Sequence, residues 1–455
     1  MQNIKRLLPS LKQLRNNSLV RDSLKLAASH FVMFFLPLIV TPILSRIYMP
    51  EHFGEWGVFS STFYIISVIL FLCYEYAIIK VEPEDYPNTV VLCFLVAFVI
   101  IASTIALFGI GMWLNIGFFV NFDYKLPLVV YLFITSFTKI FNYITNRFEM
   151  YWVMSTEYFI SGLSQAVFRM LFGFLLLFEN GLIAGTIFSQ ILCCFFYLIF
   201  LLKFFNADFF KHITFDGIKR IATENKKFPL YDTPSTLLSY AALNLPIIIL
   251  SVFFGKSEIG CFSIIVQLLL LPMSLIGSAI GRVYFQQISA NNQDSNIQRI
   301  SLNVLKLTIW LAILPTLFLS CGGDKIVEIF LGERWTTAGS ISLCLALWSI
   351  PTILTQPLLP IFRNKNCQES MFRYDGVYFF LGIGFLSLAC AIKMNLFSCI
   401  LCYAIGCFVA KLILLCKIIK ITDVKVSSFL NKPVYFTYLF CFVVLTIRLY
   451  KLSYQ

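Results

Sequence analysis

Long apolar runs, each about one bilayer thick, alternate with short polar connections along this 455-residue chain. A helix rises 1.5 Å per residue, so a hydrocarbon core of ~30 Å takes about 20 apolar residues. Runs of that order lie at 24–45, 56–79, 89–113, 126–145, 158–178, 182–205, 230–254, 259–282, 302–320, 338–361, 376–392 and 396–416. The runs are continuous rather than alternating, which predicts spanning helices and not the strands of a barrel. The expected fold is therefore an all-α polytopic membrane protein with about twelve core helices. A last run, 434–449, is close to the minimum length and leaves a further C-terminal span open. Ahead of the first run, residues 1–23 are basic and too interrupted for the apolar region of a signal peptide. Residues 5–19 read as a short amphipathic helix at the interface.

The spacing of one motif gives these helices an order. Ile43–Gly54, ILSRIYMPEHFG, returns 206 residues later as Ile249–Gly260, ILSVFFGKSEIG, with Ile43/Ile249, Leu44/Leu250, Ser45/Ser251 and Gly54/Gly260 identical. The copies join helices 1 and 2 and helices 7 and 8. Six spans separate them, so both point the same way through the bilayer, as in transporters built from two parallel repeats. The predicted organisation is a basic segment 1–23, an N-terminal lobe 24–205, a linker 206–229, a C-terminal lobe 230–419 and an extension 420–455.

Composition agrees with the pattern: 59% of residues are hydrophobic and 13% charged, against about 25% charged in soluble domains. The net charge of +12 is distributed unevenly. Counting loops alternately, 21 Lys and Arg fall on the side of the N-terminus and eight on the other. The positive-inside rule then puts the N-terminus and the linker in the cytoplasm, and basic loops facing anionic lipid require no nucleic-acid partner. The 14 Cys sit largely in apolar runs, and Cys399-x-x-Cys402 has no His or carboxylate near it in sequence. They read as small apolar side chains, with no disulfides expected.

Charges within spans point to chemistry, because each is costly in hydrocarbon and normally faces protein or a water-filled cavity. In helix 4, Thr135, Lys139, Asn142 and Asn146 share one face, and in helix 5 so do Glu157, Ser161, Ser164/Gln165 and Arg169. Helix 8 carries Gln267, Ser274, Ser278 and Arg282, and helix 7 carries Asp232, Ser235/Thr236 and Ser239. Lys139, Arg169, Asn142 and Gln165 are read as lining a cavity. For Lys25, Arg46 and Arg282 two readings stay open, lining or snorkelling to headgroups. Glu75, in Tyr74-Glu75-Tyr76, is read as a charge partner for a Lys or Arg within the bundle. His30 is read as a structural, hydrogen-bonded histidine. Cations dominate the first half, which favours an anionic substrate such as a phosphate.

There is no G-x-x-x-x-G-K-[ST] loop, the three His lack metal-ligand spacing, and no loop between spans exceeds about 25 residues. Neither a cofactor, a metal nor enzyme activity is expected.

Several short motifs, in order, resemble one family. They are Pro42-Ile-Leu-Ser-Arg46 with Met49-Pro50-Glu51-His52-Phe53-Gly54, Tyr74-Glu75-Tyr76-Ala77-Ile78, Phe228-Pro229-Leu230 with Asp232-Thr233-Pro234-Ser235, Leu245-Pro246, Gly260-Cys261-Phe262-Ser263, Leu271-Pro272 with Gly277-Ser278-Ala279-Ile280, and Leu331-Gly332-Glu333-Arg334-Trp335. Over roughly residues 20–365 the chain resembles the polysaccharide biosynthesis, or oligosaccharide flippase, family. This is the Wzx-type branch of the multidrug/oligosaccharidyl-lipid/polysaccharide exporter superfamily. The resemblance implies two six-helix lobes that move undecaprenyl-diphosphate-linked oligosaccharide (O-antigen or capsule repeats) across the bacterial inner membrane by alternating access. It also implies coupling to an ion gradient or the membrane potential, with Glu75 and Asp232 as the candidate groups, and contact with membrane lipids and with polysaccharide polymerase and chain-length machinery. Two other readings are weighed: a cation-coupled drug exporter of the MATE type, and a membrane polymerase or ligase of the same pathway.

Overall fold

The computed structural model describes residues 18–201, 209, 212–290, 293–365, 367–429 and 432–453. The predicted amphipathic stretch 5–19 lies almost wholly outside them. Every regular element among the described residues is helical. The long helices are α1 (Ser18–Ile47), α2 (Pro50–Ile69), α3 (Tyr86–Trp113), α4 (Lys125–Arg147), α5 (Tyr151–Leu175), α6 (Gly181–Leu201) and α7 (Thr233–Phe253). They continue with α8 (Lys256–Ala290), α9 (Asp294–Leu331), α10 (Thr336–Thr355), α11 (Gln368–Ala391), α12 (Leu396–Thr422) and α13 (Lys432–Ser453). Among the described residues nine helices are long and apolar enough to cross a membrane. A tenth arises if the bent pair Pro50–Ile69 and Tyr74–Lys80 is one span. With α1 and α8, at 30 and 35 residues, a helix covers each of the twelve predicted runs.

Packing sorts the chain into two units. One comprises residues 1–47 and 63–237, the other 48–62 and 238–455. In the first unit α1 packs on α5, α5 on α6, α4 on α6 and α3 on α4, while a short linker helix, Phe215–Glu224, lies on α3. Lipid supplies no hydrophobic drive between helices, so small residues and polar contacts must hold them. Gly162 serves the first purpose: a Cβ there would come within 3.0 Å of the Met33 backbone.

In the second unit α10 is the most enclosed span, with 78% of its apolar window buried, and it packs on α8, α9 and α12. Trp335 and Trp348 are fully buried at and within it. α9 kinks at Gly322, whose φ/ψ leave the helical region. Here the repeated dodecapeptide shows its purpose. α1 ends at Ile47 and α2 begins at Pro50, and 206 residues on α7 ends at Phe253 and α8 begins at Lys256, so the copies share helix boundaries residue for residue. Within this unit the beginnings of α2 and α8 cross at their glycines. A Cβ on Gly54 would collide with the Lys256 carbonyl oxygen, and one on Gly260 with the equivalent carbonyl of Pro50. The equivalents Gly57 and Ser263 also meet, at 2.7 Å for a Cβ built on Gly57. Ser263 Oγ donates to Phe53 O at 3.2 Å, and Lys256 Nζ pairs with Glu55 Oε1 at 2.8 Å.

Candidate functional site

The most irregular backbone of the first unit interrupts helix 2. α2 stops at Ile69, and the chain turns through Leu72 (φ 49°) and Cys73 (φ 61°). It resumes as a 3₁₀ turn, Tyr74–Tyr76, and a short helix, Ala77–Lys80, bent 58° from α2. Two consecutive left-handed residues without glycine are strained, by roughly 1–2 kcal/mol each. The surroundings must enforce the turn, and they do. Leu70, Phe71, Cys73 and Ile78 are almost fully buried, Arg147 Nη1 donates to Ile78 O at 2.6 Å, and Tyr74 OH donates to Ala222 O at 3.2 Å.

Breaking a helix leaves its last carbonyls without amide donors. Lys139 fills one of these vacancies: its Nζ donates to Ser67 O at 3.0 Å, a cation at a helix C-terminus where the dipole favours it. The same ammonium acts electrostatically on Glu75. Glu75 is 9% exposed, and its Oε2 has no hydrogen-bond partner among the described residues. The break thus holds a cation and a carboxylate together inside the bundle, with one carboxylate oxygen unsatisfied.

A second irregularity meets the first. Phe228–Asp232 forms a π-helical turn ahead of α7. Pro229 and Pro234 carry no N–H for an ordinary helical ladder, and the Thr233 amide reaches back to Phe228 O. Cys73 lies within hydrogen-bond reach of the Thr233 and Thr236 hydroxyls. Tyr76 packs edge-on against Phe228, at 6.0 Å between centroids, and against Tyr143, at 5.9 Å. Broken helices and π turns are where transporters expose backbone polar groups to ligands.

The polar stripes of helices 4 and 5 converge on α6. Asn142 Nδ2 donates to Tyr158 OH at 3.0 Å and Tyr197 OH at 3.1 Å, and Tyr197 OH donates to Glu157 Oε2 at 3.3 Å. Gln190 Nε2 donates to Thr138 Oγ1 at 2.5 Å, and Ser164 and Ser189 hydroxyls meet at 2.7 Å. Arg169 is 7% exposed and donates from Nε and Nη2 to Thr186 Oγ1. The α6 side of this seam, Thr186, Ser189, Gln190 and Tyr197, has helical spacing in the sequence but carries no charge to single it out.

The remaining predicted residues fall elsewhere. Gln165 is half-buried on α5, Arg46 is exposed at the end of α1, and Asp232 is exposed in the π turn. Lys25 lies in α1 and His30 with it, but both side chains lie outside the described ones. Arg282, in the second unit, is exposed and donates back to Ser278 O at 3.3 Å. That unit also has a charged group missed in the sequence: Asp375, bonded to Ser239 and in electrostatic contact with Lys411. Lys411 in turn sits 4.7 Å from the Tyr378 ring centroid. Asp375 escaped notice because it lies one residue before the predicted run 376–392.

A model of the family described as polysaccharide biosynthesis protein matches residues 43–340. The chain belongs to the polysaccharide biosynthesis protein family. The match takes in both copies of the repeat, the α2 break and the π turn. Among curated proteins, the family member is similar to the teichuronic acid biosynthesis protein TuaB of Bacillus subtilis (strain 168), 24% identical over 168 residues. That match covers 36% of this chain and 34% of TuaB, about a third of the relative's length. Among solved structures it is similar to the lipid II flippase MurJ, with TM-score 0.66 and 15% identity, covering 94% of this chain and 97% of MurJ. A multidrug resistance MATE transporter of the MOP superfamily matches with TM-score 0.64 and 15% identity, covering 86% and 96%. A MOP transporter from Pyrococcus furiosus gives TM-score 0.58 at 14% identity, covering 90% and 97%. Identities this low speak for the fold alone: an all-α, multi-pass membrane protein.

Proposed function

We propose that this member of the polysaccharide biosynthesis protein family is a flippase, not an enzyme. It would carry undecaprenyl-diphosphate-linked oligosaccharide repeat units, of O-antigen or capsular type, across the bacterial inner membrane by alternating access between two six-helix lobes, its N-terminus cytoplasmic. The observation that carries this reading is the α2 break, where the half-buried Lys139 ammonium stands at a helix C-terminus beside buried Glu75. An ammonium has three donors. Ser67 O occupies one, and the others suit a phosphate oxygen that would otherwise enter a low dielectric uncompensated. On this reading Lys139 leads a diphosphate-facing set in the first unit with Arg46, Asn142 and Gln165, Arg169 contributes by fixing α5 to α6 through Thr186, and Arg282 is the candidate of the second unit. Glu75 and Asp232 are the groups through which ion coupling or charge pairing would act. The family description and the likeness to a lipid II flippase support a lipid-linked substrate.

The test is complementation of a deletion strain, scoring surface polysaccharide, undecaprenyl-diphosphate-linked intermediates and drug sensitivity at matched protein level. Lys139→Ala should abolish surface polysaccharide and build up intermediates, and Lys139→Arg should retain part of it. Normal polysaccharide with Lys139→Ala would remove Lys139 from the site. Drug sensitivity in the deletion strain with intact polysaccharide would favour drug export instead.

A further inference from the structure

The linker helix Phe215–Glu224 has two faces of opposite character. One is docked. Gly217 and Ile221 are buried, Thr214 caps the helix by accepting from Gly217 N at 3.1 Å, and Asn88 clamps its start. Asn88 accepts from Thr214 N at 2.8 Å and donates to His212 O at 3.0 Å. Arg220 pairs with Asp85. Both partners, Asp85 and Asn88, stand at the first turn of the 28-residue span α3. The linker helix is therefore held at the level where a spanning helix leaves the hydrocarbon, in the headgroup layer.

The other face is open. Phe215 is 80% exposed, and Lys219, one turn on and therefore beside it, is exposed as well. Lys226 and Lys227 follow, also exposed. The acidic residues lie off this edge: Asp216 is in the first turn, where the dipole favours it, and Glu224 sits 4.0 Å from Arg220 Nε. An aromatic ring beside lysines at headgroup depth is the pattern of a helix lying in a membrane surface, its ring among the acyl chains and its ammonium groups on lipid phosphates.

We infer that this face docks on anionic phospholipid headgroups, with Phe215 as the inserted residue and Lys219, Lys226 and Lys227 as the phosphate contacts. The docked helix is bonded to the α2 break, because Tyr74 OH donates to Ala222 O. Lipid on this face would act on the element that carries Glu75.

The full chain in a neutral detergent tests the idea by thermal unfolding with added lipid. Phosphatidylglycerol should raise Tm by about 3 °C or more, and phosphatidylcholine and inorganic diphosphate should not. The triple variant K219Q/K226Q/K227Q should match the unmodified chain without lipid and lose most of the rise, and K219R/K226R/K227R should keep it. An undiminished rise in the Gln variant, or an equal rise with phosphatidylcholine, overturns the proposal. An equal rise with inorganic diphosphate overturns it too, by showing a phosphate site in place of a lipid surface. If the Gln variant is unstable without lipid, F215S decides alone: a rise equal to that of the unmodified chain sinks the proposal.

Discussion

Lys139 has two duties: it satisfies Ser67 O, and it compensates Glu75. Leaving a buried carbonyl unpaired costs about 1–3 kcal/mol, and leaving a buried charge without its partner costs about 3–5 kcal/mol. Lys139→Met should therefore sharply lower the yield of monodisperse protein on size-exclusion chromatography. The double variant Lys139→Met/Glu75→Gln should recover part of it, because the uncompensated carboxylate is gone. Equal yields from single and double variants would mean that Glu75 does not depend on Lys139. How far such a site is legible in sequence depends on the residue. Lys139 and Arg169 stood out because each is a charge on an otherwise polar helical stripe. What the stripes face is a tertiary fact: those of α4 and α5 meet α6, and a stripe of uncharged Thr186, Ser189, Gln190 and Tyr197 drew no notice of its own. Asp375 was hidden differently, since a hydropathy run is trimmed at its first charge, whereas the helix runs through it from Gln368.

The α2 break and the glycine crossing are opposites in legibility. Residues 68–73, VILFLC, contain neither glycine nor proline, the usual causes of a sharp bend. They read as the middle of a span, and packing, not propensity, turns them. The consequence is testable. At φ 49° a β-branched side chain clashes with its own backbone, so Leu72→Ile, which conserves volume, should cost about 1–2 kcal/mol and lower Tm. The same exchange at Phe71-flanking Leu70, fully buried and without positive φ, should cost less. Equal losses would remove the claim that the backbone, not the core, makes position 72 sensitive. The crossing, by contrast, was written in the repeat, where Gly54 and Gly260 are two of the residues kept in both copies. Because one contact uses both glycines, Gly54→Ala and Gly260→Ala should each lower Tm, and the double variant should lose less than the sum. Full additivity would show that they do not share a contact.

At the scale of the whole chain, the undecided feature of the sequence is its last apolar run. α13 is a 22-residue helix, about 33 Å at 1.5 Å per residue, which by length alone fits either a span or a helix lying at the surface. Its neighbours within the second unit separate the two. Near its start, Tyr438 OH donates to Ile309 O of α9 at 2.8 Å. Near its end, Arg448 donates to Ser320 O at 3.3 Å and grips both carboxylate oxygens of Asp324, at 2.8 and 2.7 Å. The partners ascend α9 in the order 309, 320, 324 as α13 runs from 438 to 448, so α13 lies alongside α9 and runs the same way. This Arg–carboxylate ion pair, made by Nη2 while Nη1 holds Ser320 O, lets α13 finish its crossing against protein instead of lipid. If α9 crosses the membrane, α13 crosses with it, and the two ends of the chain lie on opposite sides. With the N-terminus cytoplasmic, as proposed above, alkaline phosphatase fused after residue 453 should be active and green fluorescent protein there dark, with the reverse for fusions at residue 424, before α13. A fluorescent fusion at the C-terminus would place both ends on the same side and return α13 to the membrane surface. Arg448→Ala, by removing the grip on Asp324, should lower the phosphatase signal of the C-terminal fusion while leaving the fluorescence at residue 424 unchanged.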